Sequence, residues 1–140
     1  MTTKVFVYGT LKKGFPNHFF LNAKEHGTAK YICKAVTKNK YPLVIDADQG
    51  NLPFLLHLSG NGYNVAGEVY EVDEKMLKNL DEFEVVGVLY DSLKLIAVTE
   101  SNNEHECLAY FMHGIKDNLL RTEYFQTYSS SLATTYVIHY

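Results

Sequence analysis

The sequence predicts an α+β domain built on a small, barrel-like β-sheet with short flanking helices. Most of the chain consists of short β-rich segments bounded by turn signals such as Asn61-Gly62. Only two stretches carry the signals of a helix, a capping residue in both and helical spacing of apolar residues in the second. The length of 140 residues, with 46% hydrophobic and 21% charged residues, suits one globular domain. We therefore expect one domain over residues 1–140, with a weakly determined tail at 114–140.

The strands are predicted where β-branched and aromatic residues are dense and turn residues bound them. In chain order these segments are residues 4–8, 31–37, 41–45, 54–58, 63–72, 89–98 and 106–112. In the tail, residues 134–138 could form a last strand or a docked extension.

The two helices are predicted from a capping residue followed by apolar residues. Asn17, which follows Pro16, is expected to cap a short helix that runs to about Lys24. Asp73 is expected to cap a second helix, because apolar residues recur around it at helical spacing. These residues are Val72, Met76, Leu77, Leu80 and Phe83.

The charge is uneven along the chain. Residues 1–40 contain eight lysines and one acidic residue, Glu25, although the whole chain carries a formal charge of −3. A basic segment can bind nucleic acid, but Arg121 is the only arginine, and groove and phosphate readers rely on arginine. We therefore predict a lysine-rich surface and no nucleic-acid partner.

The cysteines and histidines give no metal-binding pattern. Cys33 and Cys107 are far apart and form no C-x-x-C pair, and the six histidines show no ligand spacing. The sequence thus predicts no metal, no cofactor and a reducing compartment. The apolar run after Lys4 is too short for a secretory signal or a membrane span. We expect a cytoplasmic monomer with no membrane association.

The sharpest local motif is the segment YGTLKKG, residues 8–14, directly after the first strand. Gly9 and Gly14 have the spacing of a phosphate-binding loop, but Phe15 and Pro16 follow where such a loop needs Lys and Ser or Thr. This excludes a P-loop nucleoside triphosphatase. The turn could still bind an anion through backbone N–H groups, because Gly9 can take backbone angles closed to other residues and lets a ligand approach the main chain. The alternative is a plain connection between strand and helix.

A second motif is the acidic end of the second helix, LDEFE at residues 80–84. Mutual repulsion and burial of Asp81, Glu82 and Glu84 would raise a carboxyl pKa toward values that are useful for proton transfer. The alternative is a solvated acidic helix end, since acidic side chains are mostly exposed. The residues alone do not decide between the two.

Taken together, five segments resemble one family. They are VFVYGTLKKGFPNH (5–18), YPLVI (41–45), LPFLLHL (52–58), GEVYEVDEKML (67–77) and LDEFE (80–84). In this order and at these separations, the chain resembles the gamma-glutamylamine cyclotransferase branch of the gamma-glutamylcyclotransferase-like superfamily. The resemblance covers roughly residues 4–90 and implies a small mixed β-barrel with flanking short helices.

The resemblance also implies a site. The backbone of four residues would bind the glutamyl part of the substrate: Tyr8, Gly9, Thr10 and Leu11. Glu84, and not Glu82, would be the catalytic acid and base, and Tyr90 matches a family tyrosine that binds substrate. Two positions depart from the family pattern: Val85 stands where relatives often have glycine, and Ser92 where many have arginine.

The implied reaction is a cyclisation of the substrate. The α-amine of a γ-glutamyl amide, such as γ-glutamyl-ε-lysine, attacks its own γ-carbonyl and releases 5-oxoproline and a free amine. Because the substrate carries its own nucleophile, the enzyme needs positioning and one proton-shuttling carboxylate, with no cofactor. The alternatives are a γ-glutamyl amino acid cyclotransferase, a catalytically silent ligand-binding relative and, most remotely, a nucleic-acid module.

Overall fold

The computed structural model describes residues 2–129. It has seven strands: β1 (Thr2–Val7), β2 (Ala29–Thr37), β3 (Leu43–Asp46), β4 (Leu52–Leu55), β5 (Ala66–Asp73), β6 (Tyr90–Val98) and β7 (Glu104–Met112). It has two α-helices, α1 (Phe19–Asn22) and α2 (Glu74–Phe83), and three short 3-10 segments, Lys24–His26, Ala47–Gln49 and Asp117–Arg121.

The strands form one mixed sheet in the order β1-β5-β2-β6-β7-β4-β3. A further parallel pairing, at Val5 and Leu108, joins β1 to β7. This contact closes β1, β5, β2, β6 and β7 into a ring, and β4 and β3 extend the sheet from β7. The predicted α+β class with a small mixed barrel is therefore confirmed.

All seven predicted strands occur, with shifted ends. The largest shift concerns the predicted segment 54–58, since β4 spans Leu52–Leu55 instead. Pro53 lies inside this strand opposite Ile45 of β3, although it has no N–H to donate. It is tolerated because β4 pairs with β7 only at Leu55. The chain then turns, with the Leu58 N–H donating to the Leu56 carbonyl at 2.8 Å.

The prediction that Asn17 caps a helix to Lys24 is wrong. Helix α1 has only four residues, begins after His18 and has no side-chain cap. The Asn17 side chain is buried and donates instead to Thr10 Oγ1, at 2.9 Å. A buried amide satisfies its hydrogen bonds where partners exist, and here the partner lies seven residues earlier.

The Asp73 cap of helix α2 is confirmed. Its carboxylate accepts a hydrogen bond from the Met76 N–H at 2.8 Å, which satisfies one of the free N–H groups of the first turn. The helix buries Met76 and Leu80 completely and packs on β5 and β1. Its last turn is thereby held beside the end of β1.

The segment after β7 docks along the sheet. The Phe125 N–H donates to the Leu43 carbonyl at 2.9 Å, and the Ala66 N–H donates to the Gln126 carbonyl at 2.8 Å. Tyr128 is fully buried. The uncertain strand at residues 134–138 lies outside the described residues. Within residues 2–129, no helix has the length and apolar character needed to cross a membrane.

Candidate active site

A narrow cavity of about 30 Å³ lies where β1 ends, against the end of α2. The six residues that the sequence singles out all line it: Tyr8, Gly9, Thr10, Leu11, Glu84 and Tyr90. Four residues that sequence reasoning missed complete the wall: Phe6, Val7, Pro53 and Tyr110. The β1 turn and the last turn of α2 therefore meet at one cavity.

The turn after β1 presents free backbone donors to this cavity. The Lys12 N–H closes the turn on the Gly9 carbonyl at 3.1 Å. In contrast, the N–H groups of Gly9, Thr10 and Leu11 donate no hydrogen bond within residues 2–129. Buried N–H groups are almost always paired, so adjacent unpaired ones in a cavity wall indicate a place for an anion.

Gly9 is required for close packing. An added Cβ would lie 2.7 Å from Cγ of Pro53, which is too close for any real contact. Gly9 is not among the residues with positive φ, so the turn does not use the backbone freedom that a glycine offers there. The glycine instead lets the turn pass directly against Pro53, which lines the same cavity.

Two residues of the segment PNH (16–18), Asn17 and His18, hold the turn through hydrogen bonds. Asn17 donates its backbone N–H to the Thr10 carbonyl and its side-chain Nδ2 to Thr10 Oγ1, both at 2.9 Å. His18 Nδ1 lies 2.9 Å from the Leu11 carbonyl oxygen. These contacts fix the two cavity residues without using their N–H groups.

Lys12 connects the turn to the end of the described chain. Its buried ammonium donates to the Tyr128 carbonyl at 2.7 Å and lies 4.5 Å from the centre of the Phe15 ring. Burial lowers the pKa of Lys12, and the nearby Glu68 charge opposes that shift. The turn is therefore held on one side by Asn17 and on the other by the Tyr128 segment.

Glu84 owes its position to how helix α2 ends. It is the last residue with right-handed backbone angles, and Val85 follows with φ of 50°. The Val86 N–H donates to the Asp81 carbonyl at 3.0 Å and the Val85 N–H to the Glu82 carbonyl at 3.1 Å. This pair of bonds is the Schellman motif, whose left-handed position is usually glycine.

The environment of Glu84 favours a protonated carboxyl. The residue as a whole keeps partial solvent exposure, but its carboxyl group is enclosed by protein. Desolvation by burial raises the pKa of Glu84 to about 8. Burial, rather than the repulsion from Asp81 and Glu82 that the sequence also suggested, is the cause of this rise. A carboxyl with this pKa exchanges protons near neutral pH.

Three tyrosines line the cavity together with this carboxyl: Tyr8, Tyr90 and Tyr110. The Tyr8 hydroxyl donates to the Tyr110 carbonyl at 2.5 Å and accepts the Leu55 N–H at 3.1 Å. Its pKa is raised by burial and by the charge of Glu84. Tyr90 donates its hydroxyl to the Pro53 carbonyl at 3.0 Å. The hydroxyls of Tyr8 and Tyr90 are thus held by backbone groups of two strands, β4 and β7.

Tyr110 accounts for the role of one acidic residue in the LDEFE motif. Its hydroxyl donates to Asp81 Oδ1 at 2.8 Å, while Glu82 is exposed. Burial and the acceptor Asp81 both raise the pKa of Tyr110. The three acidic residues of the motif therefore differ: Glu84 enters the cavity, Asp81 holds a cavity tyrosine and Glu82 faces solvent. The LDEFE spacing alone did not reveal Tyr110, which lies 29 residues from Asp81.

Among residues 2–129, no group of three His, Cys, Asp or Glu side chains is placed to hold a metal ion. The chemistry of the cavity that can be read from these residues is that of one carboxyl group, phenol hydroxyls and backbone N–H donors.

Comparison with known proteins agrees with this geometry. The sequence profile of the family described as gamma-glutamyl cyclotransferase, AIG2-like, matches residues 5–130. The chain belongs to this gamma-glutamyl cyclotransferase family. The bovine gamma-glutamylaminecyclotransferase is 44% identical over 127 residues, which cover 90% of this chain and 75% of that protein. The human protein of the same name is 55% identical over 86 residues, covering 61% of this chain and 56% of that protein.

The fold of this gamma-glutamyl cyclotransferase family member is shared with a solved structure. The crystal structure of a mouse AIG2-like protein superposes with a TM-score of 0.87 at 37% identity. The alignment covers 92% of this chain and 89% of the mouse chain. The match extends well past residue 90, where the resemblance of the sequence motifs became weak.

Proposed function

We propose that this cyclotransferase cleaves γ-glutamylamines, with Glu84 as the proton shuttle and γ-glutamyl-ε-lysine as a representative substrate. Membership of the family and the two mammalian relatives support a cyclotransferase. The proposal of the amine class rests on the names of those relatives. The roles of individual residues rest on the cavity.

The observation that carries the proposal is the pairing of unlike groups in one narrow space. The cavity joins the unpaired N–H groups of Gly9, Thr10 and Leu11 to the enclosed carboxyl of Glu84. The N–H groups suit the α-carboxylate of the glutamyl group or the oxyanion that forms at the γ-carbonyl. The narrowness favours entry of the glutamyl end alone, with the amine part outside.

In the proposed reaction, Glu84 takes a proton from the α-ammonium of the substrate. The freed amine nitrogen attacks the γ-carbonyl carbon and forms the five-membered lactam. The amide C–N bond then breaks, and the leaving nitrogen takes this proton from Glu84. Glu84 then carries a second proton from the α-nitrogen to the leaving amine in the same way. Over the cycle the α-nitrogen loses two protons and the leaving nitrogen gains two. Glu84 therefore returns to its starting state without a net exchange with solvent.

The raised pKa of Glu84 suits both halves of this task. A carboxylate with an ordinary pKa is a weak base toward an ammonium and a poor source of a proton for an amide nitrogen. At a pKa of about 8, Glu84 is a stronger base when ionised and stays available as an acid near neutral pH. Folding of the substrate chain against the β1 turn would supply the remaining acceleration through positioning.

We further propose that the protein acts as a single-domain monomer in the cytoplasm, without a nucleic-acid or membrane partner. The first 40 residues are rich in lysine, but the chain has a single arginine. This composition supports a lysine-rich surface that binds no nucleic acid. Cys33 and Cys107 are both free thiols, which suits a reducing compartment. Salt-dependent binding of nucleic acid would contradict this part of the proposal.

The test is the release of 5-oxoproline from γ-glutamyl-ε-lysine and from γ-glutamyl-alanine by the purified protein. We expect turnover of the first compound, and a loss of about 100-fold or more in kcat for Glu84→Gln. Glu82→Gln is the matched control, since Glu82 lies two residues away and is exposed. It should keep full activity.

Each other outcome identifies an alternative. Turnover of γ-glutamyl-alanine alone would indicate a γ-glutamyl amino acid cyclotransferase. Binding of either compound without turnover, in protein that is folded by circular dichroism, would indicate a catalytically silent relative. Unchanged activity of Glu84→Gln would remove Glu84 from the reaction.

A further inference from the structure

A second cleft, of about 510 Å³, lies beside strands β2 and β5 and shares no lining residue with the catalytic cavity. Its size is within the range of small-molecule sites. The residues that matter for its chemistry are Lys13, His18, Tyr31, Lys34, Glu68 and Tyr70. None of them lines the catalytic cavity, although His18 also holds the β1 turn through the Leu11 carbonyl.

Glu68 gives the cleft a buried negative group. Only 9% of the residue is exposed. Its Oε1 atom accepts two hydrogen bonds, from the Lys13 N–H and from the Tyr70 hydroxyl, both at 2.9 Å. Within residues 2–129, no hydrogen bond reaches the second oxygen, Oε2. A buried carboxylate oxygen without a donor is costly, so it indicates a partner that the chain does not supply.

Two lysines give the same cleft positive charge. Lys13 and Lys34 line it, and both are exposed. Neither forms a salt bridge in the part of the chain that the structure describes. Lys12 also feels the Glu68 charge, but its ammonium is used by the Tyr128 carbonyl. The cleft therefore combines one buried acceptor with two available cationic donors.

Aromatic rings add an apolar surface. Tyr31 and Tyr70 meet edge to face, with ring centres 5.6 Å apart, and the His18 ring lies 6.0 Å from Tyr70. His18 Nδ1 is used by the Leu11 carbonyl, so this histidine faces the cleft with its orientation fixed. The rings can pack on a small side chain, while the charged groups bind polar ends.

We infer that this cleft is a binding site for a free α-amino acid, whose ammonium is held by Glu68 and whose carboxylate is held by Lys13 and Lys34. A simple amine would leave both lysines without a partner. A simple anion would approach the buried carboxylate, which would repel it. A ligand that carries both an ammonium and a carboxylate gives Glu68 and the two lysines a partner at the same time. This inference goes beyond the proposed function, since it does not depend on the catalytic role of Glu84.

The experiment is a titration of the full, isotopically labelled chain with L-alanine, followed by amide chemical shifts in nuclear magnetic resonance spectra. Ethylamine and propionate are the comparison ligands, because each carries one of the two charged groups. We expect saturable shifts at Lys34, Glu68 and Tyr70 with L-alanine, at millimolar concentrations. The amides of Glu84 and Tyr90 should not move, and the two comparison ligands should bind far more weakly.

Two variants test the assigned contacts. Glu68→Gln keeps an acceptor for Lys13 and Tyr70 but removes the charge, and should weaken L-alanine binding about tenfold or more. Lys34→Ala changes an exposed side chain and should weaken binding without affecting the fold. The matched controls are Glu71→Gln on β5 and Lys30→Ala on β2, neither of which lines the cleft.

Several results would overturn the inference. One is the absence of saturable shifts with L-alanine, and another is equal binding of propionate or ethylamine. A third is unchanged affinity in Lys34→Ala, which remains informative even if Glu68→Gln fails to fold. Glu84→Gln should bind L-alanine like the natural chain, whether or not it keeps cyclotransferase activity, because Glu84 does not line the cleft. The two proposals therefore fail separately.

Discussion

Glu84 and Val85 are adjacent in the chain but have backbone conformations of opposite hand. Glu84 ends helix α2 with φ of −84° and ψ of 0°, and Val85 begins the loop with φ of 50°. A β-branched residue is strained in the left-handed region, where glycine is at ease. The turn at Val85 thus places the Glu84 carboxyl in the cavity, and forming this turn costs conformational free energy.

Val85→Gly should therefore stabilise the protein. We expect the free energy of unfolding to rise by about 0.5–1 kcal/mol, because relief of left-handed strain outweighs the extra freedom of glycine in the unfolded chain. Chemical denaturation measures the change. Val88→Gly is the control: Val88 is 72% exposed in the same loop and lacks a positive φ, so this change should not stabilise. Equal effects of the two variants would contradict a strain at Val85.

The stability of the protein should fall as pH rises across the titration range of Glu84. The folded state raises the pKa of this carboxyl from 4.5 to about 8, so within that window it keeps a proton that the unfolded chain releases. Glu84→Gln cannot titrate, and its unfolding free energy should lose this downward slope. The gain over the natural chain should reach a few kcal/mol above pH 8 and vanish below pH 4.5.

Denaturation curves recorded across this pH range measure both slopes. The exposed control Glu82→Gln should follow the natural chain. If the unfolding free energies of Glu84→Gln and the natural chain changed with pH in parallel, burial would not shift the pKa of Glu84.

Asn17→Ala should reduce activity by disordering the β1 turn. The change removes the side-chain bond to Thr10 Oγ1, at 2.9 Å, but keeps the backbone bond to the Thr10 carbonyl. We expect a loss of about 1–3 kcal/mol in unfolding free energy and a fall of about tenfold to a hundredfold in kcat/KM. Steady-state kinetics should show changes in both KM and kcat.

The control for this variant is Asn118→Ala, an exposed asparagine in the segment Asp117–Arg121. It should leave the kinetics unchanged. A purely structural role of Asn17 would lower stability and leave KM and kcat as they are.

Gly9→Ala should damage the cavity through one contact. The new methyl group would lie 2.7 Å from Cγ of Pro53, so the turn or the strand must move. We expect a loss of activity together with a loss of about 1–3 kcal/mol in stability. The double variant Gly9→Ala/Pro53→Ala removes the contacting atom and should recover part of both losses. Additive losses in the double variant would show that the contact is not the cause.

The sequence predicted those features that depend on neighbouring residues. Helix α2 follows from its apolar spacing and from the Asp73 cap, three residues before its partner Met76. The strands follow from composition and turn signals. The fold class follows from their number, because many short strands with few helices allow few architectures.

Features that depend on distant residues were not predicted. Asn17 looks like a helix cap by local rules, but the buried Thr10 hydroxyl competes for its side chain. Tyr110 lies in a strand that carries no motif, and it enters the site only because β7 pairs with β6 and approaches the end of α2. Gly9 was predicted to matter, but for its backbone angles, since nothing local revealed the approach of Pro53.

The bond from Lys12 to the Tyr128 carbonyl has a consequence for how the protein is made. It joins residues 116 positions apart, and the buried Tyr128 ring packs 5.8 Å from Phe15 of the same turn. On the ribosome, the β1 turn emerges long before Tyr128 does. The turn can reach its working shape only after Tyr128 has been synthesised. A nascent chain should therefore stay inactive until translation has passed Tyr128.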